Sequence, residues 1–314
     1  MFYLEYFSSS LNPTLDNVVP GWAFAYAGAT VLFYVMMDAI DGMQARRTKS
    51  SSPLGQLFDH GCDCATTTVF SIMMINGLGV GSSWRSVALM AAVQVAFFLS
   101  QWEEKYTGIC RTCVGGVFGV TESQLMLAGQ MFISAWDPLI GSRIVYGEIY
   151  TLQDAWFYLY VGFMVFISIT CILGVIYKYG GDRMQAVGEM ARELSAIVSV
   201  NICVVLCGYV SSISQFEYLL IILCLAFCNS FSTIRVILSG ISHTKFPLYH
   251  PVAFPLYAIV FARWLTGPGP WTQLVLAIYF GALMHHIISR LVHVTNEIAA
   301  YLGIYVFDIV NKRD

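Results

Sequence analysis

The chain has 314 residues, of which 57% are hydrophobic and only 11% charged, and its mean hydropathy is +0.68. Soluble domains carry roughly 25% charged residues, so the composition excludes a soluble globular protein and indicates a polytopic membrane protein. A formal net charge of −3 without any basic block argues against a nucleic-acid partner.

In chain order, runs long enough to cross a bilayer, ~20 residues each, are expected near 20–42, 60–82, 84–102, 121–138, 153–178, 193–214, 217–241, 251–266 and 271–296. The expected fold is all-α: a polytopic membrane helix bundle of about nine spans, forming one domain over residues 1–314. The chain opens Met1-Phe-Tyr-Leu-Glu-Tyr-Phe7 and lacks the basic start and apolar run of a cleavable signal peptide. Lys178–Arg192, with Gly180-Gly181, reads as a connector, and no internal repeat is visible. Seven Trp and eighteen Tyr suit interfacial belts.

The nine cysteines read as reduced. Cys171, Cys203, Cys207, Cys224 and Cys228 lie in apolar runs, where Cys behaves as a small hydrophobe. Cys110-Arg-Thr-Cys113 lacks the second ligand pair that a zinc site needs.

The charge pattern orients the chain. Arg46, Arg47 and Lys49, then Lys105 and Arg111, Lys178, Arg183 and Arg192, Lys245, and finally Lys312 and Arg313 fall on one side. The opposite side has only Arg85 and Arg143, so the positive-inside rule puts the first side in the cytosol.

On that cytosolic side the sequence concentrates carboxylates. Asp38 and Asp41 stand three apart at the end of the first expected helix, and Asp59 and Asp63 four apart at the start of the second. Each pair therefore shares a helix face. Carboxylates beside hydrocarbon are costly and tend to persist where they have a function. Pro53 disfavours helix at Ser52, so the intervening Arg47–Leu54 segment is expected to be a loop. Two acidic pairs joined by a short loop can converge on the same divalent cations. Hard cations prefer oxygen ligands, which makes Cys62 and Cys64, flanking Asp63, packing residues. Asp59 alone could serve as a helix cap; four aspartates at this spacing could not.

The pattern D-x2-D-G-x2-A-R-x8-G-x3-D-x3-D over Asp38, Asp41, Gly42, Ala45, Arg46, Gly55, Asp59 and Asp63 resembles the CDP-alcohol phosphotransferase family. Its flanks, Asp38–Thr48 and Ser51–Asp63, are similar to the eukaryotic choline/ethanolamine branch, and weaker similarity continues through Gln101–Gly108 to Glu297–Ile304. The resemblance implies transfer of phosphoethanolamine or phosphocholine from a CDP-alcohol to diacylglycerol, releasing CMP, in an endoplasmic reticulum or Golgi membrane. It further implies two Mg²⁺ or Mn²⁺ ions bridged by Asp38 and Asp59, with Asp41 completing one site and Asp63 the other. Asp63 would also be the general base, Arg46 would hold the diphosphate, and the protein would be a homodimer. Relatives begin with an earlier span, so ten spans are family-like and residues 1–10 read as the tail of a missing one.

Other residues keep two readings. Gly42 would let a nucleotide approach the backbone, and Arg46 could instead be a membrane anchor. Gly55 and Gly61 are expected to allow tight helix approach. His60 is a second candidate base. Glu103, Glu104 or Glu122, with Trp102 or Tyr106, could meet the substrate's ammonium. Gln101 stands where some choline-type relatives carry His, and Gln cannot act as a base. His285, His286 and His293 form no metal pattern. The alternatives are an enzyme that takes CDP-diacylglycerol as donor, with inositol for example as acceptor, and a cation transporter. A transporter would more often show repeated halves.

Overall fold

The computed structural model describes residues 19–81, 83–108, 113–114, 118–142, 144–146, 150–178, 187–202 except 189, 196 and 199, 215–246, 251–267 and 269–306. Residues 1–10, Cys110, Arg111, Arg143, Gly180, Gly181, Arg183, Cys203, Cys207, Lys312 and Arg313, all singled out above, lie outside the described residues.

The architecture is helical. It comprises α1 (Gly21–Thr48), α2 (Pro53–Leu78), α3 (Trp84–Thr107), α4 (Val120–Trp136), α5 (Leu152–Lys178), α6 (Gln215–Ile241), α7 (Phe254–Thr266) and α8 (Pro270–Leu302). The described residues between 187 and 202 are also helical. Two antiparallel strand pairs, Cys113–Val114 with Phe118–Gly119 and Ile144–Tyr146 with Tyr150–Thr151, staple the connections into α4 and α5.

Five helices are long and apolar enough to cross a membrane: α1, α3, α5, the Phe216–Ile241 part of α6, and α8. Of the expected nine, five meet this description among the described residues, and most of the expected 193–214 run lies outside them. Asp59, Asp63, the Thr66–Thr68 run and Asn76 dilute α2, α4 has 17 residues, and α7 has 13.

The boundary between α1 and α2 differs from expectation. α1 continues six residues past 42 and ends where Lys49 turns left-handed at φ 55°. α2 begins at Pro53, seven residues before the expected start, which leaves residues 49–52 as the loop. Pro53 does hold Ser52 out of the helix, but it also opens the next one, because a first-turn residue has no use for its missing N–H. Ser52 is the cap: it is extended (φ −147°, ψ 159°) and its Oγ accepts from the Gly55 N–H at 3.0 Å. Asp59 therefore sits in the second turn and caps nothing.

Close helix contact also falls elsewhere than expected. A Cβ on Gly61 would meet nothing within 4 Å, and one on Gly55 only the Ser52 Oγ at 3.5 Å. Two glycines on α1, two turns apart, do make such contact. A Cβ on Gly21 would lie 2.3 Å from the Ala135 carbonyl oxygen, and one on Gly28 would lie 3.2 Å from that of Ala128. These small residues seat α1 directly on α4, the usual way for helices to associate without a hydrophobic drive. α3 runs through the centre, with Phe98 and Trp102 fully buried. Buried amides add interhelical links, among them Asn201 and Asn229, which exchange hydrogen bonds of 2.9 and 3.1 Å.

Candidate active site

α1 and α2 form a helical hairpin around the 49–52 turn, and that geometry brings the acidic pairs together. One carboxylate oxygen each from Asp38, Asp41 and Asp59 lie within 4.8 Å of one another; Asp41 is exposed and the other two are half-buried. No Lys or Arg ion pair neutralises Asp38 or Asp41 among the described residues. The donor set is all oxygen and negatively charged, which fits a hard divalent ion such as Mg²⁺. Asp63 follows Asp59 by one turn of α2. Its Oδ1 accepts a 2.6 Å hydrogen bond from the Tyr34 hydroxyl.

Tyr34 was not foreseen. It lies one helical turn before Asp38 inside an apolar run, so the Tyr-x3-Asp spacing was its one visible signal. Its ring meets Phe70 edge-on at 5.4 Å, which ties α1 to α2 just beneath the carboxylates.

Arg46 folds back along α1. Its Nη1 lies 3.4 Å from where a Cβ on Gly42 would be, so Gly42 and Arg46 share one patch beside Asp41. His60 projects between the two helix ends. Its Nε2 is 4.0 Å from Asp59 Oδ2 and its Nδ1 3.6 Å from Glu104 Oε2, too long for hydrogen bonds. Buried Nδ1 has no hydrogen-bond partner among the described residues.

The candidate ammonium-binding residues divide. Glu104 reaches the site, where it accepts from Gln56 Nε2 at 2.9 Å beside His60. Glu103 is 1% exposed and belongs to the bundle interior, and Glu122 stands half-buried in the first turn of α4. Trp102 and Tyr106 are already engaged: Trp102 Nε1 and the Tyr106 hydroxyl donate to Glu193 Oε2 at 3.0 and 2.8 Å, while Lys105 Nζ donates to Oε1 at 2.9 Å. With Trp102 fully buried, this quartet is an interhelical brace and no cation cage.

Two hollows are lined in part by α2, the helix that carries Asp59 and Asp63. A polar one of about 330 Å³ is lined by Gln56, Gln101, Glu104 and His243, among others. An apolar one of about 130 Å³ runs down between α2, α3, α4 and α5, past Thr67, Phe70, Ser71 and Tyr160. Thr67 is one turn along α2 from Asp63, so the apolar hollow begins where the fourth carboxylate ends.

The remaining candidates behave as membrane-helix polar residues. His286 meets the Phe231 ring edge-on at 5.4 Å, Arg235 lies over the same ring, and His293 pairs with Glu297 at 3.2 Å. Cys62, Cys64, Cys171, Cys224 and Cys228 are free thiols.

Comparison with known proteins agrees with this geometry. Residues 14–136 match the model of the family described as CDP-alcohol phosphatidyltransferase, a segment that contains all four aspartates. An uncharacterized CDP-alcohol phosphatidyltransferase class-I family protein of Dictyostelium discoideum is 30% identical over 250 residues, covering 79% of this chain and 59% of that protein. Cholinephosphotransferase 1 of Danio rerio is 35% identical over 144 residues, 42% of this chain and 37% of that protein. Choline/ethanolaminephosphotransferase 1 of Saccharomyces cerevisiae is 24% identical over 329 residues, 96% of this chain and 82% of that protein. The chain spans 59% and 32% of the lengths of two Dictyostelium relatives.

Proposed function

Because this chain carries a CDP-alcohol phosphatidyltransferase domain, we propose that it transfers phosphoethanolamine, phosphocholine or both from the CDP-alcohol to diacylglycerol, releasing CMP. The observation that carries this reading is the gathering of Asp38, Asp41 and Asp59 within 4.8 Å, with an apolar hollow lined by Thr67 and Phe70 further along the helix that carries Asp59. A charged nucleotide from water and a lipid from the bilayer can meet only at such a boundary.

Asp38, Asp41 and Asp59 would hold one Mg²⁺ or Mn²⁺, and Asp38, Asp59 and Asp63 a second. Bound there, the ions would neutralise the diphosphate and the charge that develops on the leaving CMP. Arg46 would grip the diphosphate in two-pronged fashion. Gly42 beside it leaves no side chain in the way. Asp63 would take the proton from the acceptor hydroxyl through the oxygen that Tyr34 leaves free: the O–H bond breaks, the proton moves to the carboxylate, the alkoxide attacks the phosphorus next to the alcohol, and the bond from that phosphorus to the bridging oxygen breaks, so that the oxygen leaves with CMP. His60 would assist by orienting charge between Asp59 and Glu104, and the ammonium would lie near Glu104. The site would face the cytosol from an endoplasmic reticulum or Golgi membrane, in a homodimer.

The test is purified protein in liposomes containing diacylglycerol, with CMP release followed for CDP-ethanolamine and CDP-choline in turn. Release with either one, dependent on diacylglycerol, is the expected result. If CDP-diacylglycerol with inositol is consumed instead and diacylglycerol has no effect, the chain transfers phosphatidyl groups and the present reading is wrong.

A further inference from the structure

The polar hollow lies between the start of α2 and the ends of α3 and α6, and one of its walls holds an acceptor with nothing to accept. Gln101 lines it and is 4% exposed, and its buried Oε1 has no hydrogen-bond partner among the described residues. A buried amide oxygen left unpaired costs stability, and a ligand that donates to it removes that cost. One turn along α3, Glu104 lines the same hollow. Its Oε1 accepts from Gln56 Nε2 at 2.9 Å, while its Oε2 stands 3.6 Å from His60 Nδ1, beyond hydrogen-bond length. One neutral and one charged oxygen thus share a helix face, three residues apart. Lys105, also in the wall, is already engaged: its Nζ donates to Glu193 Oε1 at 2.9 Å and lies over the Tyr106 and Phe246 rings. The described residues that line the hollow include no Trp, Tyr or Phe.

We propose that this hollow is a site for a primary ammonium, with Gln101 as its specificity-determining residue, and that CDP-ethanolamine is therefore preferred over CDP-choline. The ammonium site rests on the hollow itself, and its use in turnover rests on the transferase reading. The His60 ring marks the path from the carboxylates to the hollow: Nε2 is 4.0 Å from Asp59 Oδ2 and Nδ1 is 3.6 Å from Glu104 Oε2. A phosphoalcohol with its phosphate at the carboxylates' ions and its nitrogen at Glu104 would follow that path. A primary ammonium has three N–H donors, enough for Gln101 Oε1 and Glu104 Oε2 together. A trimethylammonium has none and would leave the amide oxygen buried and unpaired. Quaternary ammonium groups are characteristically held against aromatic faces, which this wall does not offer, and Trp102 and Tyr106 are engaged with Glu193. The Glu104 charge attracts both cations alike, so the discrimination comes from Gln101.

The experiment measures binding of CDP-ethanolamine, its N-methyl and N,N-dimethyl derivatives and CDP-choline to wild-type protein in nanodiscs, with Mg²⁺ and without diacylglycerol. Affinity is expected to fall as N–H donors are lost, by at least ~10-fold from CDP-ethanolamine to CDP-choline, the effect of one buried polar group left unpaired. Gln101→Leu removes the acceptor and should narrow that preference to within about threefold, chiefly by weakening CDP-ethanolamine. Glu104→Gln keeps an acceptor for Gln56 but removes the charge, and should weaken both nucleotides to a similar degree. The wild-type series is decisive even if a variant fails to fold. Equal or tighter binding of CDP-choline by wild type overturns the proposal whatever turnover does, and so does a preference that survives Gln101→Leu. If CDP-ethanolamine is preferred in binding and no CMP is released once diacylglycerol is added, the transferase reading fails and the ammonium site stands.

Discussion

Acidic side chains occur in two settings in this molecule. Away from the hairpin, Asp154 and Glu217 are each answered by an arginine from another helix, as Glu193 is by Lys105. Asp154, opening α5, pairs with Arg85 at the start of α3, and its second oxygen accepts from the Thr151 N–H at 2.9 Å and the Thr151 hydroxyl at 2.7 Å. Glu217 on α6 and Arg263 on α7 form a pair with side chains only 1% and 3% exposed. At the hairpin, Asp38, Asp41 and Asp59 face one another instead. Ionised Asp38 and Asp59 alone, at 4.8 Å or less, repel by roughly 3 kcal/mol at an effective dielectric near 20. The first arrangement closes on itself and holds helices together. The second is incomplete without charge from outside, and that difference separates structure from function here.

The sharpest break of this comparison is to remove the hairpin's charge. Asp38→Ala and Asp59→Ala should each abolish CMP release, and chelation by EDTA should do the same to wild type. The variants should nevertheless be recovered folded, because each deletes a repulsion. Thermal unfolding gives the second reading: Mg²⁺ should raise the wild-type midpoint, as any ligand of the native state does, and leave Asp38→Ala unmoved. Full activity in chelator would remove the basis for treating the two settings as different.

Next in size is the division of labour around the trio. Asp63→Asn should lower kcat by at least ~10³ at saturating Mg²⁺, within the range for loss of a general base. His60→Ala should cost less, because both its nitrogens stand too far from Asp59 and Glu104 for hydrogen bonding. If His60→Ala is dead while Asp63→Asn turns over normally, the imidazole is the base.

On the structural side the effect should be reversed. Glu217→Ala leaves a buried guanidinium without its carboxylate, a loss of about 3–5 kcal/mol in comparable buried pairs. Stability and yield should drop sharply, while kcat per folded molecule at permissive temperature stays within a fewfold. Selective loss of kcat with unchanged unfolding would assign Glu217 to function.

What was legible in the sequence divides along the same line. The acidic hairpin could be read because its information is local: i,i+3 and i,i+4 spacing states which carboxylates share a face. The helix bundle could be read because long apolar runs have few other uses. The helix ends could not, since Ser52-Pro53 reads as an interruption when the pair in fact starts α2. The roles of Trp102 and Tyr106 could not be read because their partner, Glu193, lies 91 and 87 residues away. Nothing at positions 102–106 tells whether an aromatic faces solvent or a distant carboxylate. Arg85 with Asp154 and Glu217 with Arg263 were missed for the same reason.

The smallest expected effect lies at the joint between local and distant information. Ser52 accepts from the Gly55 N–H and is the only described side chain that caps the first turn of α2, two turns before Asp59. Ser52→Ala should cost about 1 kcal/mol, the usual value of such a cap, read as a small fall in the unfolding midpoint measured without metal. The carboxylate trio repels in that state, so the helix end that carries Asp59 has least in reserve. Saturating Mg²⁺ ties Asp59 to α1 from the other side, so the same substitution should then leave kcat within twofold. A loss of kcat that metal does not restore would mean that the cap sets the position of Asp59 directly, and that the 49–52 turn is part of the site as much as the carboxylates it joins.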